Sequence, residues 1–175
     1  IADFPGNLII HDRIASIDEV VAHFAQSGRQ RPMIALDANE ESNPPKIEAF
    51  RLACEKYEIG DPDNLLISLT APKNAQSIGE THREGFRKAF PNKINTDALF
   101  CFNDMGAMYI MREVQDRGLN IPSDIAVVGF NNYPVGEVWQ PPLATGDRCP
   151  EQVSAQIDMM LREYLADPGK AKQNI

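Results

Sequence analysis

No stretch of this 175-residue chain is apolar for long enough to cross a bilayer, and no signal peptide opens it. Cysteine is scarce. Cys54, Cys101 and Cys149 make an odd number without CxxC spacing, which argues for buried or free thiols in a reducing compartment. Positive charge is short too: 17 Lys and Arg against 25 Asp and Glu give a net charge of -8 and a pI near 4.9. That balance argues against a nucleic-acid surface on this segment, because phosphate contacts need clustered cations. His11, His23 and His82 lie far apart and lack HExxH or a Cys partner at ligand spacing, so no metal site is expected. GxSxG, P-loop and GxGxxG patterns are missing, which removes the usual nucleophile elbow and phosphate cradles. Neither an internal repeat nor a low-complexity tract occurs. Catalysis and a bound cofactor are therefore not expected.

What the chain does have is alternation. Strand patterns at Leu8–Ile10, Pro32–Leu36, Leu65–Leu69, Leu99–Phe102 and Ile125–Val128 are separated by helical ones. Ser16-Ile17-Asp18-Glu19 reads as a capping box opening a helix with Ile17, Val20, Val21 and Phe24 on one face. Gly28 stands where that helix stops, and Gly118 where a later one does. Further helices are expected around Ile47–Tyr57, Ile78–Phe90, the segment after Asn103-Asp104, and Pro150–Leu165. Val135–Thr145 holds Pro141-Pro142 and reads as loop, and the acidic cluster Asp37, Glu40 and Glu41 as a solvated one. Strands alternating with helices over short connections predict an α/β fold: a doubly wound, mostly parallel sheet of about five strands with helices on both faces.

In such sheets ligands sit outside the carboxyl ends of strands. Two of those ends carry Asn103-Asp104 and Asn131-Asn132. They are the first candidates for a site.

TDALFCFND, a helix ending in RG, IPSDIAVVGFNN and PPLAT together resemble the carboxyl-terminal half of the lactose-repressor (LacI/GalR) family. Upstream, Asp12, His23-Phe24 and Gly28-Arg29-Gln30-Arg31, then Lys46 to Phe50 (KIEAF) and Glu84 to Phe86 (EGF), are similar to family motifs in the same order. The resemblance implies one lobe of a two-lobed core like that of periplasmic sugar-binding proteins. Residues 1–13 would be the last strand of the first lobe, 14–145 the second lobe, and 146–175 a return segment and helix of the first lobe plus a tail. It implies a cytoplasmic, homodimeric regulator that senses a small-molecule effector, a sugar or a related compound. Operator DNA would be read by a helix-turn-helix absent from this sequence. The alternative is a periplasmic sugar-binding receptor of a transport system. A flavodoxin-like or receiver enzyme would need a phosphate loop or an acidic phosphoacceptor pocket, and neither is evident.

By the same resemblance Asn103, Asn131, Lys46, Asp12, Asp104, His82 and Glu80 are the ligand-binding candidates. Each has a plainer reading. Asn103 suits a helix cap, and Asp104 a cap or a first-turn carboxylate. Asn131 replaces the family's Asp, exchanging two acceptors for one acceptor and one donor group, and Asn-Asn is also a turn former. Lys46 replaces an Arg fork with a point charge and otherwise faces solvent at a helix start. Asp12 reaches the cleft or caps the next segment. Trp139 stacks on a sugar or wedges against Pro141-Pro142. Finally, Val153, Ile157, Leu161 and Tyr164 form a stripe that, without its first-lobe partner, is expected to find cover on its own sheet or on a second copy.

Overall fold

The computed structural model describes residues 9, 12–37, 44–69 and 77–167. Its contacts divide into two units, Ile1–Asp12 with Arg148–Ile175, and Arg13–Asp147. The larger unit runs α1 (Arg13–Gln26), β1 (Pro32–Asp37), α2 (Pro44–Lys56), β2 (Leu66–Leu69) and α3 (Ile78–Ala89). It continues with β3 (Ala98–Cys101), α4 (Asp104–Asp116), β4 (Ala126–Phe130), a short 3-10 turn at Pro134–Gly136, and β5 (Ala144–Gly146). The sheet order is β2-β1-β3-β4-β5, and every pairing is parallel.

Five strands are expected and five are found among the described residues, but the membership differs. Leu8 and Ile10 of the first expected strand lie outside the described residues. The fifth strand is instead β5, inside the stretch read as loop. Three residues beside a Pro-Pro pair are too few to show a period of two, and β5 is recognisable only through its pairing with Val128 to Phe130. The expected capping box also fails: α1 starts at Arg13, so Ser16 lies in its first turn and Asp12 takes the preceding position. Aspartate is a favoured residue at such a position.

Alternation along the strands sends side chains to two separate cores. On one face, Ile34, Leu36, Phe100, Val128 and Phe130 pack with Ile17, Val21 and Phe24 of α1 and Phe50 of α2. On the other, Met33, Ala35, Ile67, Leu69, Leu99 and Cys101 pack with Phe86 of α3 and Ile110, Met111 and Val114 of α4. Right-handed crossovers explain the division. The step from β1 to β2 runs one way along the sheet, and the steps from β2 to β3 and β3 to β4 run the other. The first therefore puts α2 on one face, and the later two put α3 and α4 opposite. At the amino edge, Thr96 Oγ1 donates to Arg31 O at 2.6 Å, and Asp97 accepts from the amides of Gln30 and Arg31 at 3.0 and 2.8 Å. The Thr-Asp of TDALF thus ties β3 to the entry of β1, far from any strand carboxyl end.

Gly85, the glycine of EGF, lets α3 lie close on β2: an added Cβ would stand 2.7 Å from Leu69 Cα. Backbone must then move. Gly85→Ala is expected to cost about 1–3 kcal/mol, the usual cost of overpacking. A urea titration that finds no change would show that α3 yields freely.

The smaller unit contributes α5 (Pro150–Ala166). Cys149 precedes it with φ 49, and its carbonyl accepts from Val153 N at 3.1 Å. Met160 is the helix's buried residue, whereas Ile157, Leu161 and Tyr164 are 46%, 55% and 55% exposed. Within a single copy of the chain this stripe is therefore left largely open, with Val153 half-buried.

Candidate functional site

Because all five strands are parallel, their carboxyl ends lie along one edge, where α2, α3 and α4 also begin. The winding reverses between β1 and β3, since β1 leads outward to β2 while β3 lies on its other side. Reversals of this kind open a crevice at the strand carboxyl ends.

Lys46, from the first turn of α2, meets Phe102, from just beyond β3, at that reversal. Its Nζ stands 4.0 Å from the Phe102 ring centroid, and Phe102 stacks on Phe130 with centroids 5.4 Å apart. Only 3% of Lys46 is exposed, so the solvent-facing lysine expected at a helix start is corrected. An aromatic face attracts the ammonium while the alkyl stem covers apolar surface.

Asn103 ends the β3 segment in extended conformation and caps α4, its Oδ1 accepting from Gly106 N at 2.6 Å. The cap reading holds, and the amide Nδ2 keeps its capacity to donate. One strand over, Asn131 follows β4 with φ 123, and Asn132 follows with φ 55. Asn131 N donates to Gly146 O at 2.9 Å. Its Oδ1 is buried and has no hydrogen-bond partner.

Asp104 is fully buried, and both its oxygens are spoken for. Oδ2 accepts from Tyr133 N at 2.7 Å, and Oδ1 from Thr145 Oγ1 at 2.5 Å. Gly129 makes room for it, since a Cβ there would stand 2.3 Å from Asp104 Oδ1. The carboxylate thus joins ND, VVGF and PPLAT into one assembly. His82 is fully buried where α3 meets α4, close enough that a Cβ on Gly106 would lie 2.7 Å from its Cδ2. Its ring packs near Tyr109, centroids 6.5 Å apart, and a Cβ on Gly106 would stand 2.8 Å from its Nε2 and 3.0 Å from Asn103 Oδ1, so the α3–α4 contact sets it beside the β3 end. Glu80 is exposed in the first turn of α3, whose start Ser77 caps at 3.2 Å, on an open groove of about 630 Å³ shared with Arg83, Arg87 and Tyr109. Asp12, exposed, falls in the smaller unit.

The structure therefore brings Asn103, Asp104, Asn131 and, through the phenylalanine stack, Lys46 to neighbouring strand ends. His82 and Glu80 sit on α3.

A family described as the periplasmic binding protein-like domain matches residues 21–175. The chain belongs to that family. Among curated relatives, the HTH-type transcriptional repressor PurR of Vibrio atlanticus is 36% identical over 76 residues, 43% of this chain and 23% of its own. The HTH-type transcriptional regulator DegA of Bacillus subtilis is 24% identical over 98% of this chain and 49% of its own, so the chain spans about half its length. A LacI family transcriptional regulator from Arthrobacter sp. FB24, solved in complex with lactose, shares the fold with a TM-score of 0.74. It is 20% identical, and the match covers 97% of this chain and 62% of that one.

Family membership fits the rest of the edge. Burial, with Asp104 nearby, pushes the Cys101 thiol up to about 12, and burial does the same for Cys54, so both are packing groups and not nucleophiles. No group of three or more His, Cys, Asp and Glu among the described residues is placed to hold a metal ion. Trp139 is partly buried against the α3–α4 core. Sequence reasoning passed over Phe102, Gly129, Thr145 and the Tyr133 amide. Alternate phenylalanines at 100 and 102, and the threonine closing PPLAT, were the available signals.

Proposed function

We propose that this chain is the carboxyl-terminal, effector-sensing part of a LacI-type transcriptional repressor, binding a small neutral polyhydroxylated molecule such as a sugar. One observation carries the reading: the Asn131 Oδ1, an acceptor removed from water at a strand end and left without a partner. Buried acceptors are costly unless satisfied, and a ligand hydroxyl would satisfy this one. Asn103, one strand away, supplies amide donors, so the pair suits hydroxyls, which both donate and accept. Lys46 on its aromatic floor would border the same crevice.

The relatives' names support a regulator over a transport receptor, and one neighbour of this fold was solved with lactose. In this reading residues 14–145 form the second lobe, while residues 1–13 and 146–175 belong to the first. The repressor would be a cytoplasmic homodimer without catalytic activity, gripping operator DNA through an amino-terminal helix-turn-helix. Effector would shift operator affinity only as far as it prefers one lobe arrangement over the other.

Calorimetric titration of the full-length protein with lactose and a panel of monosaccharides tests this. Asn131→Ala is expected to weaken the sugar that binds by about tenfold or more, the scale of one lost hydrogen bond in a desolvated site. An Asn131→Ala protein that titrates like its parent sinks the reading.

A further inference from the structure

Asn131 and Asn132 both hold positive φ, at 123° and 55°, in a backbone region that side-chain-bearing residues seldom enter. Two such residues in succession persist only where their surroundings overdetermine them. Here all three successive amides of the turn are tied. Asn131 N donates to Gly146 O, Asn132 N to Thr145 Oγ1 at 3.2 Å, and Tyr133 N to Asp104 Oδ2. Thr145 Oγ1 closes the set by donating its own proton to Asp104 Oδ1. Its hydroxyl therefore donates to the carboxylate and accepts from the turn, using both capacities at once.

We infer that Asp104 and Thr145 are positioning residues that hold the 131–133 turn and so fix where the Asn131 side chain stands at the strand edge. This rests on the reading that Asn131 meets the ligand. Neither residue needs to touch that ligand. Asp104 is fully buried, and Gly129 is the glycine that lets the carboxylate reach under the turn. A plain helix-start carboxylate needs none of this. The cap of α4 is already supplied by Asn103, so the two Asp104 oxygens are free to serve segments 29 and 41 residues away.

Thr145→Val removes the hydroxyl at nearly constant shape, and Thr145→Ser restores it. In full-length protein without ligand, hydrogen exchange of the 131–133 amides is expected to quicken about tenfold in Thr145→Val, the scale of one lost hydrogen bond. The serine variant should return to the parental rate, and β1 and β3 should not change. Unchanged exchange at 131–133, or an equal rise in β1 and β3, overturns the inference. A second arm titrates lactose: binding is expected to weaken about tenfold in Thr145→Val and to recover in Thr145→Ser. If the parent binds neither lactose nor any sugar of the panel, the ligand assignment is at fault, while the exchange measurement still decides the positioning role.

Discussion

Phe100→Ala is expected to lower the stability of the larger unit by about 3–5 kcal/mol, the range for emptying a buried aromatic site. Phe100 is fully buried at the middle of β3, paired in register with Ile34 on one side and Val128 on the other. Its ring meets Phe102 edge-on at 5.4 Å and Phe130 at 6.5 Å, so the cavity left by alanine would open beneath three elements at once. Neighbouring strands are hydrogen-bonded on both sides and cannot collapse into it. A domain holds only about 5–15 kcal/mol in total, so this single change should move the urea midpoint by a large fraction of its value. The effect should also reach the site. Phe102 and Phe130 form the floor under Lys46, and losing the ring that buttresses both should loosen that floor. A loss below about 1 kcal/mol, no more than an exposed position gives, would mean that β3 is not the central strand.

Phe100 also shows why the centre of the fold was legible in the sequence. Four consecutive apolar residues, Leu99 to Phe102, leave no polar face, and only a strand covered on both sides tolerates that. The two cores then follow from period-two alternation. The helices α1 and α4 were readable from their stripes, and Gly28 and Gly118 mark their ends with φ 78 and 76. Asn103 and Asn131 were readable as strand-end residues because parallel winding places all such ends on one edge. Long-range pairing was not readable. Nothing local in Ala144–Gly146 distinguishes a strand from a loop, since its hydrogen bonds come from Val128 to Phe130. The burial of Lys46 depends on a ring 56 positions along the chain, and that of Asp104 on Thr145, 41 positions away. Charge at a helix start ordinarily means solvent, and only tertiary packing reverses it. The burial of His82 is tertiary in the same way: Gly106 lets the neighbouring helix close over it.

Glu113 makes the same case, a charge that every local rule would place in water. It lies on α4 at the contact with α3, buried, with Arg83, Arg87 and Arg117 around it at 3.2, 2.9 and 3.3 Å. Asp116 draws off part of Arg83 at 3.0 Å and pairs with Arg112, and Glu84 adds further negative charge near Arg87. Burial alone would push the Glu113 carboxyl up, but hydrogen bonds from Arg87, Arg83 and Arg117 bring it below the ordinary glutamate value of 4.5. Removing one partner of a buried ion pair costs about 3–5 kcal/mol. The three arginines are each partly open to water and can rehydrate, which discounts that figure, so Glu113→Ala is expected to cost about 2–3 kcal/mol. The sign of the pH dependence follows from the direction of the shift. A carboxyl held lower in the folded state than in the unfolded one binds its proton later, so its contribution is complete above 4.5 and fades as pH falls through the folded value. Urea midpoints of the parent and of Glu113→Gln should therefore differ by a constant amount from neutral pH down to that point and converge below it. Midpoints that stay equally far apart in acid would show that the loss comes from packing, and the arginine cluster would then be a consequence of the α3–α4 contact instead of one of its causes.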